Sequence, residues 1–279
     1  MHTITSRADA PVERPITLDA VDLPNGVRLP YAECGSRDGV PVILLHGITD
    51  SWRSFEPVLP HLPAPVHAYS VTQRGHGDAG RPGSYDLDEL VEDVAQFMDA
   101  VGLPSAIVCG HSMGSIVATR FAIVHPSRTD GLVVMGGATS FAHLGLEDMT
   151  EELATMTDPI DVDYLRGFQE STLARPIPAD FLDTAVSESA KLSIATFRGA
   201  WHDVVLRDFA SELGAISSPT LLVWGERDAF SPRAEQDALI AAIPGARLIV
   251  HEGAGHAMHW EDPERFAAEL TAFVEEVRG

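Results

Sequence analysis

Apolar runs of strand length recur along the chain at residues 42–45, 66–71, 106–109, 132–135, 220–224 and 248–250. Several are continuous rather than alternating, a pattern a strand sustains when both of its faces are covered. Helical patterns lie between them. Over 86–101, Leu87, Leu90, Val91, Val94, Phe97, Met98 and Val101 share one stripe, and Gly102 is placed to end the helix. A second helix is expected over 113–125, halted before Pro126, and a third over 263–277, opened by a proline whose missing N–H costs nothing in the first turn. Alternating strands and helices require crossover connections, so the chain is expected to form an α/β fold with a mostly parallel sheet and helices on both faces. Two weaker segments, 16–23 and 27–34, meet at Pro24-Asn25-Gly26 and read as an antiparallel hairpin at a sheet edge.

One region breaks this rhythm. From about 139 to 213 the pattern is that of several amphipathic helices without a strand, rich in acid at Glu147, Asp148, Glu151, Glu152, Asp158, Asp161 and Asp163. The acid reads as a solvated face. The expected organisation is a core begun by residues 1–138, a helical cap over 139–213 lying across one end of the sheet, and the core completed by 214–279. A chain of 279 residues fits one such core with an insertion and needs no disulfide or metal staple. Cys34 and Cys109 lie outside any C-x-x-C spacing, and Cys109 ends an apolar run as a small buried hydrophobe would. A reducing, cytoplasmic setting is expected, because the N-terminus has no signal-peptide apolar stretch and no run is long enough to cross a bilayer. The first dozen residues read as loose. A formal net charge of −22 repels phosphate backbones and anionic lipid, so neither nucleic acid nor a membrane is an expected partner. Small neutral or cationic molecules remain, and self-association into a homo-oligomer is left open.

Chemistry concentrates at Gly110-His111-Ser112-Met113-Gly114, where a strand over 105–109 turns into a helix. A serine on so sharp a turn is forced into strained backbone geometry, and the flanking glycines let strand and helix pass closely. Its hydroxyl projects at a helix N-terminus, where developing negative charge is favoured. Serine is a poor nucleophile unless a base takes its proton and donors hold the oxyanion. His256, presented by Gly253-Ala254-Gly255 after an apolar run, is the candidate base. Asp228, at the end of Trp224-Gly225-Glu226-Arg227-Asp228, is the candidate orienting acid, with Glu226 as an alternative. The backbone amides of Ile48 and Met113 are the candidate oxyanion donors, and the Thr49 hydroxyl is a further one. Asp50 is expected to cap a helix starting near Trp52. His46 and His111 read as structural neighbours of the site. His251, His256 and His259 lack the acidic partner and spacing of a metal site, so no metal or organic cofactor is expected. Trp52, Phe55, Phe141, Trp201, Met258 and Trp260 fall near the site loops or in the cap, and some of them should line an acyl pocket.

From residue 27 to 273 the chain resembles the α/β-hydrolase superfamily. The likeness rests on His46-Gly47 after a strand, Arg74-Gly75-His76-Gly77 after the next, the Gly110–Gly114 turn, Trp224-Gly225-Glu226-Arg227-Asp228, and Gly255-His256 followed by Glu261-Asp262-Pro263. Ser, Asp and His follow one another in the order that arrangement requires. The nearest look is to the branch of small esterases, lactonases, cofactor-free haloperoxidase-like perhydrolases and carbon–carbon bond hydrolases, which carry a helical cap at the place expected here. Gln73 departs from the acidic residue many relatives have before the Arg-Gly pair, and reads as structural. Related epoxide hydrolases and dehalogenases use aspartate at the turn; serine there implies acyl transfer through a serine ester. The resemblance thus implies hydrolysis of a small or medium, largely apolar carboxylic ester or lactone. Carbon–carbon hydrolysis, perhydrolysis and a ligand-binding receptor on the same fold are the alternatives.

Overall fold

In the computed structural model, which describes residues 15–143 and 147–279, the apolar runs become strands of one eight-stranded sheet ordered β1-β2-β4-β3-β5-β6-β7-β8. The strands are β1 (Thr17–Asp22), β2 (Arg28–Gly35), β3 (Val40–Leu45), β4 (Val66–Val71), β5 (Ala106–His111), β6 (Thr129–Met135), β7 (Thr220–Gly225) and β8 (Arg247–His251). From β3 onward neighbouring strands are parallel. The exception is the N-terminal hairpin, in which β2 is antiparallel to both β1 and β4. The expected loose residues at the N-terminus lie outside the described residues.

Period-two alternation divides the core. Ile43, Leu45, Ala106 and Val108 join the apolar cluster on one face, with Phe97 of α1 (Leu87–Ala100) and Phe121 of α2 (Met113–Val124). Val42, Leu44, Ile107 and Cys109 point the other way and pack with Phe55, Phe266 and Phe273. The central strands are therefore buried on both sides, which is why their sequence shows no polar alternation. α1 starts at Asp86, whose carboxylate accepts from the Asp88 amide, and Gly102 follows its end with φ of +75°.

Between β6 and β7 the described chain contains helices and no strand: a 3-10 turn at Phe141–His143, then α3 (Glu147–Thr155), α4 (Val162–Ser171), α5 (Ala179–Ser189) and α6 (Ile194–Ala200). α6 runs on into a π-helical turn, Trp201–Val205. α7 (Arg233–Ala242), α8 (Met258–Glu261) and α9 (Pro263–Arg278) complete the core. Among the described residues no helix is long and apolar enough to cross a membrane.

The sheet order reverses at β3, whose neighbours are β4 on one side and β5 on the other. In open α/β sheets the crevice outside the carboxyl ends of the strands at such a reversal is where ligands bind. Pairing sets Leu45 of β3 opposite Gly110 of β5, so the loops leaving these two strands emerge side by side.

Candidate active site

Ser112 links β5 directly to α2 with φ 51° and ψ −119°. A non-glycine residue there costs on the order of 1–3 kcal/mol and persists only when its surroundings fix it. The surroundings do so. The Ser112 amide donates to Met135 O at 2.9 Å, and Ser115 Oγ donates back to Ser112 O at 2.6 Å. The two flanking glycines are obligatory for a packing reason. A Cβ on Gly110 would stand 2.0 Å from Gly114 O, and one on Gly114 2.2 Å from Leu45 O. The Ser112 hydroxyl faces the cavity and makes no protein hydrogen bond among the described residues. Such bonds are commonly loose in ligand-free sites and tighten around substrate.

His256 and Asp228 come together from the loops after β8 and β7. His256 Nδ1 lies 2.8 Å from Asp228 Oδ2, and both residues are buried. Asp228 Oδ1 accepts from the amides of Phe230 at 2.8 Å and Ser231 at 2.9 Å, so the carboxylate is fixed before it meets the imidazole. With the carboxylate accepting, Nδ1 carries the hydrogen and Nε2 is left as the basic atom. His111 Nε2 donates to His256 O at 3.0 Å, which ties His256 to the residue preceding Ser112. Glu226, the alternative acid, is exposed and accepts from the Gly253 amide instead.

The loop after β3 is braced from behind. His46 Nδ1 donates to Gly47 O at 2.7 Å and its Nε2 accepts from the Gln73 amide at 3.0 Å, while Gln73 Nε2 donates to His46 O at 2.8 Å. Gln73 thus has the structural place expected of it. Burial, reinforced by neighbouring imidazoles, holds His46 and His111 well below the ordinary histidine range and keeps both neutral. Ile48 lines the cavity, and Met113 opens α2 beside Ser112. Among the described residues neither amide has a protein acceptor.

Asp50 differs from expectation. The 3-10 turn Trp52–Phe55 is capped by Ser51, whose Oγ accepts from the Arg53 amide at 3.2 Å. The Asp50 carboxylate is drawn inward instead. Oδ1 accepts from Gln169 Nε2 at 2.9 Å and Oδ2 from Ser54 Oγ at 3.2 Å. That leaves the extended backbone of Ser51 as the residue able to cap. Burial raises the Asp50 pKa from 3.8 to about 6, against the opposing pull of Gln169, Ser54, His256 and Gly47.

These groups surround a cavity with about 530 Å³ of atom-free space, mouth included. Its apolar wall is Phe141, Phe168, Trp201, Val205, Phe230 and Trp260; its polar groups include Ser112, His256, Thr49, Asp50 and Gln169. Among the described residues no lysine or arginine lines it. Of the six large residues singled out in the sequence, Phe141, Trp201 and Trp260 face this space. Phe55 and Met258 belong to the core, and Trp52 packs against that core beneath the Arg53 guanidinium. Trp201 is pinned by its Nε1 donating to Thr150 Oγ1 at 2.9 Å, at the point where the helix widens into its π turn. Phe168, Gln169 and Phe230 escaped the sequence reading. Phe230 follows the acid by two residues, which is a usable signal. Gln169 stands four residues after Leu165, at helical spacing on an apolar stripe, where a polar residue is out of place.

Comparison with known proteins follows this geometry. A family model described as the alpha/beta hydrolase fold matches residues 40–263. Mouse epoxide hydrolase 3 is 26% identical over 91% of this chain and 76% of its own. A 2-hydroxy-6-oxononadienedioate/2-hydroxy-6-oxononatrienedioate hydrolase of Dechloromonas aromatica is 28% identical over 89% of this chain and 91% of its own. A pimeloyl-[acyl-carrier protein] methyl ester esterase of Neisseria meningitidis is 31% identical over 85% of this chain and 94% of its own. Among solved structures, an esterase from Exiguobacterium antarcticum superposes with a TM-score of 0.82 at 23% identity, covering 92% of this chain and 98% of that one, which shows the shared fold.

Proposed function

The chain belongs to the alpha/beta hydrolase family, and from that premise we propose that it is a serine hydrolase cleaving a small or medium, uncharged carboxylic ester or lactone through an acyl-enzyme on Ser112. The observation that carries this reading is the buried His256–Asp228 pair, 2.8 Å apart, whose imidazole shares a cavity with a strained serine. In this reading His256 Nε2 takes the hydroxyl proton as Ser112 Oγ attacks the carbonyl carbon, and Asp228 holds the resulting imidazolium through Nδ1–H. The Ile48 and Met113 amides receive the oxyanion, aided by the N-terminus of α2. The imidazolium returns its proton to the departing alkoxide; in a lactone that oxygen stays tethered to the acyl group. Water, deprotonated by His256, then attacks the acyl carbon; the bond from that carbon to Ser112 Oγ breaks, His256 returns the proton to Oγ, and the carboxylic acid is released. Every proton is carried by His256, so the scheme calls on no cofactor.

The walls favour an ester over the other reactions named among the relatives. Serine stands where family resemblance implies an aspartate in epoxide hydrolases. The name of the Dechloromonas relative describes a substrate with two carboxylates; here such an anion would meet Asp50 and, among the described residues, no cation on the cavity wall. Aromatic rings beside a carboxylate that is hydrogen-bonded only to neutral groups among the described residues suit a neutral, largely apolar acyl group.

Turnover of p-nitrophenyl acetate and butyrate, with fluorophosphonate labelling, tests the proposal. Both are expected in the parent and absent in Ser112→Ala. Activity that survives the substitution refutes the assignment.

A further inference from the structure

We propose that Gln169, a residue of the helical segment between β6 and β7, is a positioning residue that holds the loop after β3 in the shape its oxyanion amide needs. The inference rests on the acyl-enzyme reading above and deepens it.

The turn Gly47–Asp50 is closed by a long bond from the Asp50 amide to Gly47 O, 3.3 Å. Within it Thr49 has φ of +81°, while Ile48 does not have a positive φ. A four-residue turn with positive φ at its third position alone is type II, where glycine belongs and a β-branched residue is strained. The weak closing bond does not offset that strain.

The compensation comes from across the cavity. Gln169 Nε2 lies 3.0 Å from Thr49 Oγ1, 2.9 Å from Asp50 Oδ1 and 2.9 Å from Ser189 Oγ. The Asp50 carboxylate can only accept, so the amide orientation is chemically fixed. Two hydrogens serve three acceptors, two of which are the consecutive residues that shape the turn. Behind them Ser54 Oγ holds Asp50 Oδ2, and Trp260 Nε1 donates to Ser54 O at 2.8 Å. Gln169 is 1% exposed and sits on α4 between Leu165 and Thr172, where a hydrocarbon would pack without any partner. A buried amide in such a place is tolerable only with its hydrogen bonds made, so it fixes one docking of α4 against the loop. Without it Thr49 relaxes toward negative φ, the turn opens, and the Ile48 amide swings away from the reacting carbonyl.

A residue that merely fastened the helices to the core would change stability or KM. One that shapes the oxyanion loop changes kcat. Steady-state constants for p-nitrophenyl butyrate and thermal unfolding are to be measured for Gln169→Ala, Gln169→Leu, Thr49→Gly and the Thr49→Gly/Gln169→Ala pair. Leucine matches the apolar neighbours and guards against collapse of the alanine variant. Loss of Gln169 is expected to lower kcat roughly 10- to 100-fold with KM within about threefold. Thr49→Gly alone, which also loses a hydroxyl from the cavity wall, is the reference for the pair. In the pair, glycine adopts the positive φ unaided, and removing Gln169 is expected to lower kcat by less than about threefold from that reference. A folded Gln169 variant with parental kcat, a change in KM alone, or an equal loss of kcat with glycine at position 49 overturns the proposal. Amide exchange over residues 47–50 reads the latch without any turnover: faster exchange in Gln169→Leu supports it, and unchanged exchange overturns it. A parent protein without Ser112-dependent turnover refutes the acyl-enzyme reading instead, and leaves the exchange result to decide the latch.

Discussion

Replacing Asp50 with asparagine isolates the cost of keeping a carboxylate in this cavity. The substitution preserves shape and retains an oxygen to accept from Gln169. Asp50 is raised from 3.8 to about 6 because burial outweighs its hydrogen bonds from Gln169, Ser54 and Gly47 and the field of His256. Its sign is opposite to that of a salt-bridged acid. Below about pH 4 the group is protonated in both folded and unfolded chains and costs nothing. Between about pH 4 and 6 only the unfolded chain releases the proton, so folding loses stability at about 1.4 kcal/mol per pH unit. Above pH 6 the full loss is about 3 kcal/mol. With a pI near 4.7 the chain precipitates most readily at the acidic end, so the usable range starts near pH 5. From pH 5 to pH 8 the stability of Asp50→Asn relative to the parent should rise by about 1.4 kcal/mol, read from urea unfolding at each pH. A difference that stays flat, or shrinks as pH rises, refutes the claim that burial dominates at this carboxylate.

Three further outcomes follow from the geometry. Gly136 has φ of +55°, and a Cβ there would stand 2.9 Å from both Cε1 and Nδ1 of His256; Gly136→Ala is expected to cut the fluorophosphonate labelling rate about 100-fold with the fold intact. Trp201→Ala removes a pinned ring from the cavity wall, and should shift the kcat/KM preference toward hexanoate over acetate esters by about tenfold. Asp93 grips Arg74 through two bonds of 2.6 and 2.7 Å, both residues being buried; Asp93→Asn should cost about 3 kcal/mol in urea unfolding while kcat in the folded fraction holds.

The sheet and the Ser112 turn were readable from sequence because local constraints impose them. Doubly buried strands demand unbroken apolar runs, and the close passage of α2 against β5 and the end of β3 admits only glycine at 110 and 114. The meeting of Asp228 and His256 was readable because glycines and a strand end mark each of their loops. Asp50 was misread because a polar residue before a helical turn has two uses, capping or facing inward, and the choice was made by Gln169, 119 residues away. Phe168 and Val205 were invisible for a related reason. An amphipathic helix shows that it has an apolar face, while tertiary docking alone decides whether that face meets another helix or a cavity.

The groups proposed to react all stand on loops at the carboxyl ends of strands, whereas Phe141, Phe168, Trp201 and Val205 come from the single stretch between β6 and β7. On the proposed function, what the molecule does to a bond and what it admits to that bond are thus written on separate lengths of polypeptide. Transplanting a foreign helical stretch between these two strands should retune selectivity while sparing the chemistry, provided the graft brings its own amide to the place Gln169 occupies.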